Sequence, residues 1–167
     1  MQNTNMKPIR TLILSFLLLA SFPGFSQQPS GTIPDFTFYK LDNTPFTKKQ
    51  LKNNGKKIMF IFFDITCSHC QEEITDIGKH YQSFKNVEFY MVSMDEVPGI
   101  RKFMGSYGKA LNGKSNVTVL RDANREFIPR FQPDRYPALF LYTSQGKLIK
   151  FFSGEKSAAS ILKAVKI

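Results

Sequence analysis

The chain has 167 residues, with 23 Lys plus Arg against 13 Asp plus Glu, 17 Phe, no Trp and two Cys. That length holds one domain of ordinary size with a sizeable core, and 42% hydrophobic with 22% charged residues excludes wholesale disorder. Two cysteines exclude a disulfide-rich scaffold and any zinc or iron–sulfur site built from Cys alone.

Residues 1–26 read as a signal peptide. Lys7 and Arg10 form a basic n-region, and Thr11 to Phe22 supply a largely Leu and Ile run. A membrane span needs about 20 apolar residues, and Pro23 and Gly24 end this run sooner. Gly24 and Ser26 occupy the −3 and −1 positions of a cut before Gln27, so the chain is expected in an extracytoplasmic, periplasmic space with no stable span after cleavage. An uncleaved anchor is the competing reading. Residues 27–32 form a short Gln/Pro/Ser/Gly linker, and 33–167 form the domain.

Asp35 to Leu41 reads as a strand, with turn chemistry at Asp42-Asn43. Thr47 to Asn53 reads as a short helix closed by Asn54-Gly55. Lys48, Lys49, Lys52, Lys56 and Lys57 lie in a stretch, 43–63, that has no acid. Export and the lack of an aromatic-interleaved motif argue against nucleic acid as a partner, leaving a solvated lysine edge or weak attraction to anionic lipid or acidic partners. Ile58 to Phe63 is apolar without alternation, which fits a strand covered on both faces.

From Cys67 the period becomes helical: Cys67, Cys70, Ile74, Ile77, Tyr81 and Phe84 fall on one stripe, and the cysteines head it. Val87 to Ser93 is a strand, and Pro98 starts a helix to about Tyr107. Asn116 to Leu120 is a strand, and Asn124 to Phe131 a short helix that Pro129 should distort. Ala138 to Tyr142 and Lys147 to Phe152 pair as a hairpin, and Ser157 to Val165 closes the chain as a helix. The order predicts an α/β fold with a parallel centre and late antiparallel strands, a central mixed sheet flanked by helices.

The chemistry centres on Cys67-Ser68-His69-Cys70. With no second C-x-x-C and only His69 and His80 to help, a four-ligand metal site is disfavoured, and no metal or cofactor is expected. A thiolate at a helix N-terminus is stabilised by free backbone N–H groups and the positive dipole end, which lowers a thiol pKa from about 8.5 toward roughly 3.5–7.5. Cys67 is then the attacking sulfur and Cys70 the resolving thiol. His69, if its imidazole lies beside Cys67, favours the thiolate and makes the disulfide more oxidising; otherwise it is an exposed first-turn residue. Glu73 is placed either to accept or relay the Cys70 proton, or to face solvent as a helix-start carboxylate. Glu72, Asp76 and His80 read as surface residues. Asp64 reads as a turn or cap residue, or as a charge near Cys67. Arg135-Tyr136-Pro137-Ala138 opens a strand with a proline, a place where a cis bond occurs.

These residues resemble the thioredoxin superfamily, and within it the exported branch similar to TlpA and ResA. Ile33-Pro34-Asp35-Phe36 resembles that branch's opening, Cys67-Ser68-His69-Cys70 its redox motif, Glu73 its glutamate, Tyr136-Pro137 its cis-proline loop and Ser144-Gln145-Gly146-Lys147 its late hairpin. The resemblance implies a thioredoxin-like fold with an N-terminal strand extension. It also implies a redox-active Cys67–Cys70 disulfide, a cis Pro137, and a substrate segment bound as an added strand along Tyr136 beside Thr66. Thr66 replaces the aromatic residue usual before the first Cys, and Asp64 brings a charge where a small neutral residue is usual. A peroxiredoxin would need Pro at position 60 and Ser or Thr at 64, where this chain has Phe60 and Asp64. The expectation is a monomeric thiol-disulfide oxidoreductase acting on cysteine-containing substrate proteins and recharged by a redox partner protein, its direction open. The alternatives are a copper- or zinc-handling module, or a silent domain with a static disulfide, on the same fold.

Overall fold

The apolar run that opens the central strand determines the layering. In the computed structural model, which describes residues 29–166, β3 (Lys57–Phe62) and the residue after it send Met59, Ile61 and Phe63 into one core and Ile58, Phe60 and Phe62 into the other. A run with no alternation is what a strand covered on both faces requires. β4 (Val87–Ser93) divides likewise, with Phe89 and Met91 on one side and Tyr90 and Val92 on the other.

In chain order the elements are β1 (Thr37–Lys40), β2 (Pro45–Thr47), β3, α1 (Ser68–Lys79), β4, α2 (Val97–Ser106), β5 (Val117–Arg121), α3 (Phe127–Phe131), β6 (Ala138–Tyr142), β7 (Leu148–Ser153) and α4 (Ala158–Val165). They build one seven-stranded sheet in the order β2-β1-β5-β4-β3-β6-β7. β3, β4 and β5 run parallel, while β6, β7, β1 and β2 join antiparallel, the last two as the N-terminal extension. The predicted signal segment, 1–26, lies outside the described residues. No helix among the described residues is long and apolar enough to cross a membrane.

α1, α2 and α4 cover one face with Ile74, Ile77, Ile100, Phe103 and Ile161. The other face is a phenylalanine core beneath α3 and the β1–β2 hairpin. Phe127 stacks on Phe62 at 4.3 Å and on Phe131 at 4.2 Å, and Phe131 touches Phe60 at 5.0 Å. Such pairs add about 0.5–1.5 kcal/mol each beyond area burial.

Four expectations need correction. The helix predicted over 47–53 is absent: β2 ends at Thr47, and one 3-10 turn, Lys48–Gln50, follows it. Lys48, Lys49 and Gln50 offer no apolar stripe to bury, whereas a short strand buries Phe46. The helix from Cys67 stops at Lys79, and Tyr81 and Phe84 reach the core from a separate 3-10 turn. α3 begins at Phe127 rather than Asn124 because buried Asp122 accepts the N–H groups of Glu126 (2.9 Å) and Phe127 (2.8 Å). Asp76 is not simply surface charge, since its Oδ2 accepts the Ala158 N–H at 2.7 Å and secures the start of α4.

The lysine edge is partly tied down. Glu88, 2% exposed, accepts Lys52 at 3.1 Å and Asn54 Nδ2 at 2.8 Å, with Lys56 3.5 Å away.

Phe131→Ala empties the centre of the aromatic core and is expected to cost about 3–5 kcal/mol of stability in urea unfolding. A loss under about 1 kcal/mol would show that this core is not what holds α3 to the sheet.

Candidate active site

The site forms where buried β3 ends and α1 begins. Phe63 N–H still donates to Val92 O at 3.0 Å, and the chain then turns. Asp64 makes that turn: its Oδ1 accepts the Thr66 N–H (2.7 Å) and the Thr66 hydroxyl (2.6 Å), and its carbonyl accepts the Cys67 N–H (3.3 Å). Asp64 is therefore a turn residue, one of the readings its position allowed. Asp95 holds the loop from β4's end, accepting Ile65 N–H at 3.0 Å and the Ser93 hydroxyl at 2.7 Å. Gly99 lets α2 close over it, because a Cβ there would lie 2.6 Å from Ile65 Cδ1.

Cys67 is the N-cap of α1. Its Sγ accepts the Cys70 N–H at 3.4 Å, and its carbonyl accepts the N–H groups of Cys70 and Gln71, both at 3.1 Å. The Cys70 N–H, shared between the Cys67 carbonyl and its sulfur, thus points at the sulfur and makes Cys67 the cap of the helix. Both cysteines are free thiols, Cys67 half-buried and Cys70 buried. Burial, first of all, pushes the Cys70 thiol well above the usual range, and the neighbouring Cys67 and Glu73 push the same way. The two sulfurs are therefore differentiated: Cys67 is reachable from the surface and Cys70 is not.

Glu73 does not face solvent. It is 1% exposed, its Oε1 accepts the Lys156 N–H at 2.7 Å, and its Oε2 is buried without a partner among the described residues. Burial raises its pKa to about 8; the Lys156 bond opposes this, and Glu155 and Asp76 add to it. A carboxyl tuned this way exchanges a proton near neutral pH, one helical turn from Cys70.

His69 lies at the exposed rim with Nδ1 2.7 Å from Glu155 Oε2. His69, Glu72 and Glu155 each offer one ligand atom within 4.8 Å of the others, and all three are exposed. Thr66 is exposed and, with Gln71, Lys102 and Tyr107, lines a groove of about 420 Å³ between α1 and α2.

From the opposite side, the Tyr136–Pro137 peptide is cis. Ala138 pairs with Phe62, which sets the cis-proline at the same end of the sheet as the Cys67 loop. The Tyr136 ring packs on Phe62 at 4.7 Å, and burial, with Asp64 and Asp95 nearby, raises its pKa to about 12, so it stays a phenol. Beside it, Phe62, Ile128, Pro133 and Arg135 line a cavity of about 220 Å³.

The fold thus gathers Cys67, Cys70, Glu73, Tyr136 and Pro137 at one end. Glu155 and Lys156 were not foreseen. They lie more than 80 positions from the residues they hold, with no motif to mark them.

A helix-capping C-x-x-C facing a cis-proline on a sheet of this order defines a thioredoxin-like protein. The sequence profile of the AhpC/TSA family matches residues 29–151, and the chain belongs to that family. It is similar to the thiol-disulfide oxidoreductase ResA of Bacillus subtilis, 27% identical over 165 residues, covering 92% of this chain and 88% of that protein. Among solved structures it resembles a secreted Mycobacterium tuberculosis disulfide oxidoreductase homologous to Escherichia coli DsbE. That match has a TM-score of 0.64 at 24% identity, over 78% of this chain and 94% of that one. It also resembles the peroxidoxin BcpB of the same organism, with a TM-score of 0.67 at 18% identity, over 84% of this chain and 97% of that one. The two structural likenesses are of fold; Phe60 and Asp64 stand where the peroxiredoxin pattern needs Pro and Ser or Thr.

Glu73 also makes a signed prediction about stability. Its pKa is raised from 4.5 to about 8 on folding, so between those values the native state holds a proton that the unfolded chain has released. The favourable contribution is complete below about pH 4.5 and is lost as pH rises through about 8. Urea unfolding followed across this window is expected to show stability falling with pH, and Glu73→Gln to flatten that slope. A slope unchanged by the substitution would locate the titration elsewhere.

Proposed function

We propose that the chain exchanges a dithiol for a disulfide in other proteins, as a thiol-disulfide oxidoreductase similar to ResA. The observation that carries this is the differentiated pair: Cys67 capping α1 at the half-exposed surface, and Cys70 buried one turn in.

In the reducing direction, the Cys67 thiolate attacks one sulfur of a substrate disulfide. A Cys67–substrate disulfide forms, the substrate S–S bond breaks, and the displaced thiolate takes a proton. Cys70 then loses its proton to the Glu73 carboxylate and attacks Cys67 Sγ. The intramolecular disulfide forms and the second substrate sulfur leaves as a thiolate, which takes the proton that Glu73 received. Two electrons have passed to the substrate with two protons, one from solvent and one from Cys70 by way of Glu73, and the reverse order oxidises a dithiol. Glu73 suits the middle step because its raised pKa lets it take the proton of a thiol that burial makes reluctant to ionise. The cis Tyr136–Pro137 loop supports the reading that a substrate segment aligns there as an added strand, with Thr66 on the opposite lip.

Iodoacetamide trapping across a glutathione titration tests activity and direction together. A midpoint near about −270 mV would mark a reductant and one near about −120 mV an oxidant. Cys67→Ser is expected to abolish turnover, and Cys70→Ser to accumulate mixed disulfides with substrate proteins. A fully active Cys67→Ser chain would overturn the assignment of roles, and metal retained by anaerobically purified protein would favour a metal-handling module.

We infer further that residues 1–26 direct export and that the domain begins at Ile33 after a short linker. N-terminal sequencing of protein recovered from the periplasm is expected to start at Gln27, and retained Met1 would overturn cleavage.

A further inference from the structure

Charge is segregated along the strand axis. The segments at the redox end, where β3, β4 and β5 finish and β6 and α4 begin, are 63–76, 94–97, 121–126, 132–137 and 153–158. They hold ten Asp and Glu against four Lys and Arg. The segments at the opposite end are 52–57, 79–88, 109–117, 143–148 and 163–166, and they hold ten Lys and one acid. That acid is Glu88, buried and already paired with Lys52 and Lys56. Lys79, Lys85, Lys109, Lys114, Lys147 and Lys163 are exposed.

The described chain enters the fold at this same basic end. Thr32 bridges to Lys147, and Ile33 N–H donates to Gly146 O at 3.0 Å. The apolar run Thr11–Phe22 precedes that entry point in the sequence, so the lysine end is the one brought to the membrane while the run is attached during export.

We propose that the lysine end is a docking surface for an anionic lipid bilayer, which holds the redox site on the side away from the membrane. Each lysine near an anionic surface strengthens binding by about fivefold, and the attraction decays within a Debye length, so a cluster at one end of the molecule orients it. The long side chains reach the headgroups without the domain entering the hydrocarbon. The placement of the chain entry favours a bilayer over nucleic acid as the polyanion. The acidic redox end, repelled by the same surface, stays free for protein substrates.

Amine footprinting tests this independently of thiol chemistry. The full chain is mixed with vesicles of phosphatidylcholine alone or of phosphatidylcholine with phosphatidylglycerol, acetylated briefly, and each lysine is read by mass spectrometry. On the anionic vesicles Lys79, Lys85, Lys109, Lys114, Lys147 and Lys163 are expected to acetylate at least about fivefold more slowly than on neutral ones, with Lys102 and Lys156 unchanged. High salt should remove the protection. Substituting Lys85, Lys114, Lys147 and Lys163 by Gln should abolish the remaining protection of Lys79 and Lys109 while leaving disulfide exchange intact. Equal protection on both vesicles, or equal slowing of Lys102 and Lys156, would overturn the proposal. Protection by duplex DNA without protection by vesicles would overturn it in favour of nucleic acid.

Discussion

Everything at the site depends on one junction: a strand buried on both faces that ends where a helix must begin. β3 is held between β4 and β6, so the position and direction of its last residue are rigid, and Asp64 uses its side chain to turn the next three residues. The first backbone N–H groups of α1 lack partners four residues back. The Cys67 carbonyl and sulfur stand there instead of the usual hydroxyl or carboxylate cap, so the residue that caps the helix is also the cysteine presented toward the surface.

The second cysteine takes its character from the helix period. Three residues on, Cys70 lies on the inward stripe with Ile74 and Ile77, in the core shared with Met59 and Leu139. Burial that stabilises the fold therefore also makes this thiol hard to ionise. Glu73, one turn on, is buried at an energetic cost, as a carboxyl with one bonded oxygen and one without a partner among the described residues. The strand-to-helix junction before α4 partly offsets the cost through the Lys156 N–H. The same junction supplies Glu155 to His69 and receives Asp76 at Ala158, so the last helix is coupled to the first by three polar contacts.

The long-range charge pattern follows from the same topology. Parallel strands finish at one end, where helix starts collect and carboxylates are favoured, and helix ends collect at the other, where lysines are favoured. A common dipole preference, repeated by each crossover, helps to produce a molecule with an acidic redox end and a basic opposite end.

Much of this was legible in the residues themselves. The nonalternating run at 58–63, the stripe from Cys67 and the turn signal at 144–146 locate β3, α1 and the β6–β7 hairpin, because local period and turn chemistry act over a few residues. The C-x-x-C motif and its position at a helix start announced the reactive pair for the same reason. What sequence could not decide is whether Glu73 meets solvent or interior, whether Asp64 turns the chain or charges the site, and which way His69 points. For Glu73 and His69 the answer rests on partners 83 and 86 positions distant, which the chain brings together only when the sheet closes, and for Asp64 on how its side chain meets Thr66 once the buried strand ends. Residue type and spacing determined that there is a dithiol; the tertiary structure decided which sulfur is reachable and that a buried carboxyl, Glu73, shares the helix with the other, because burial is a property of the assembled core and not of any local run.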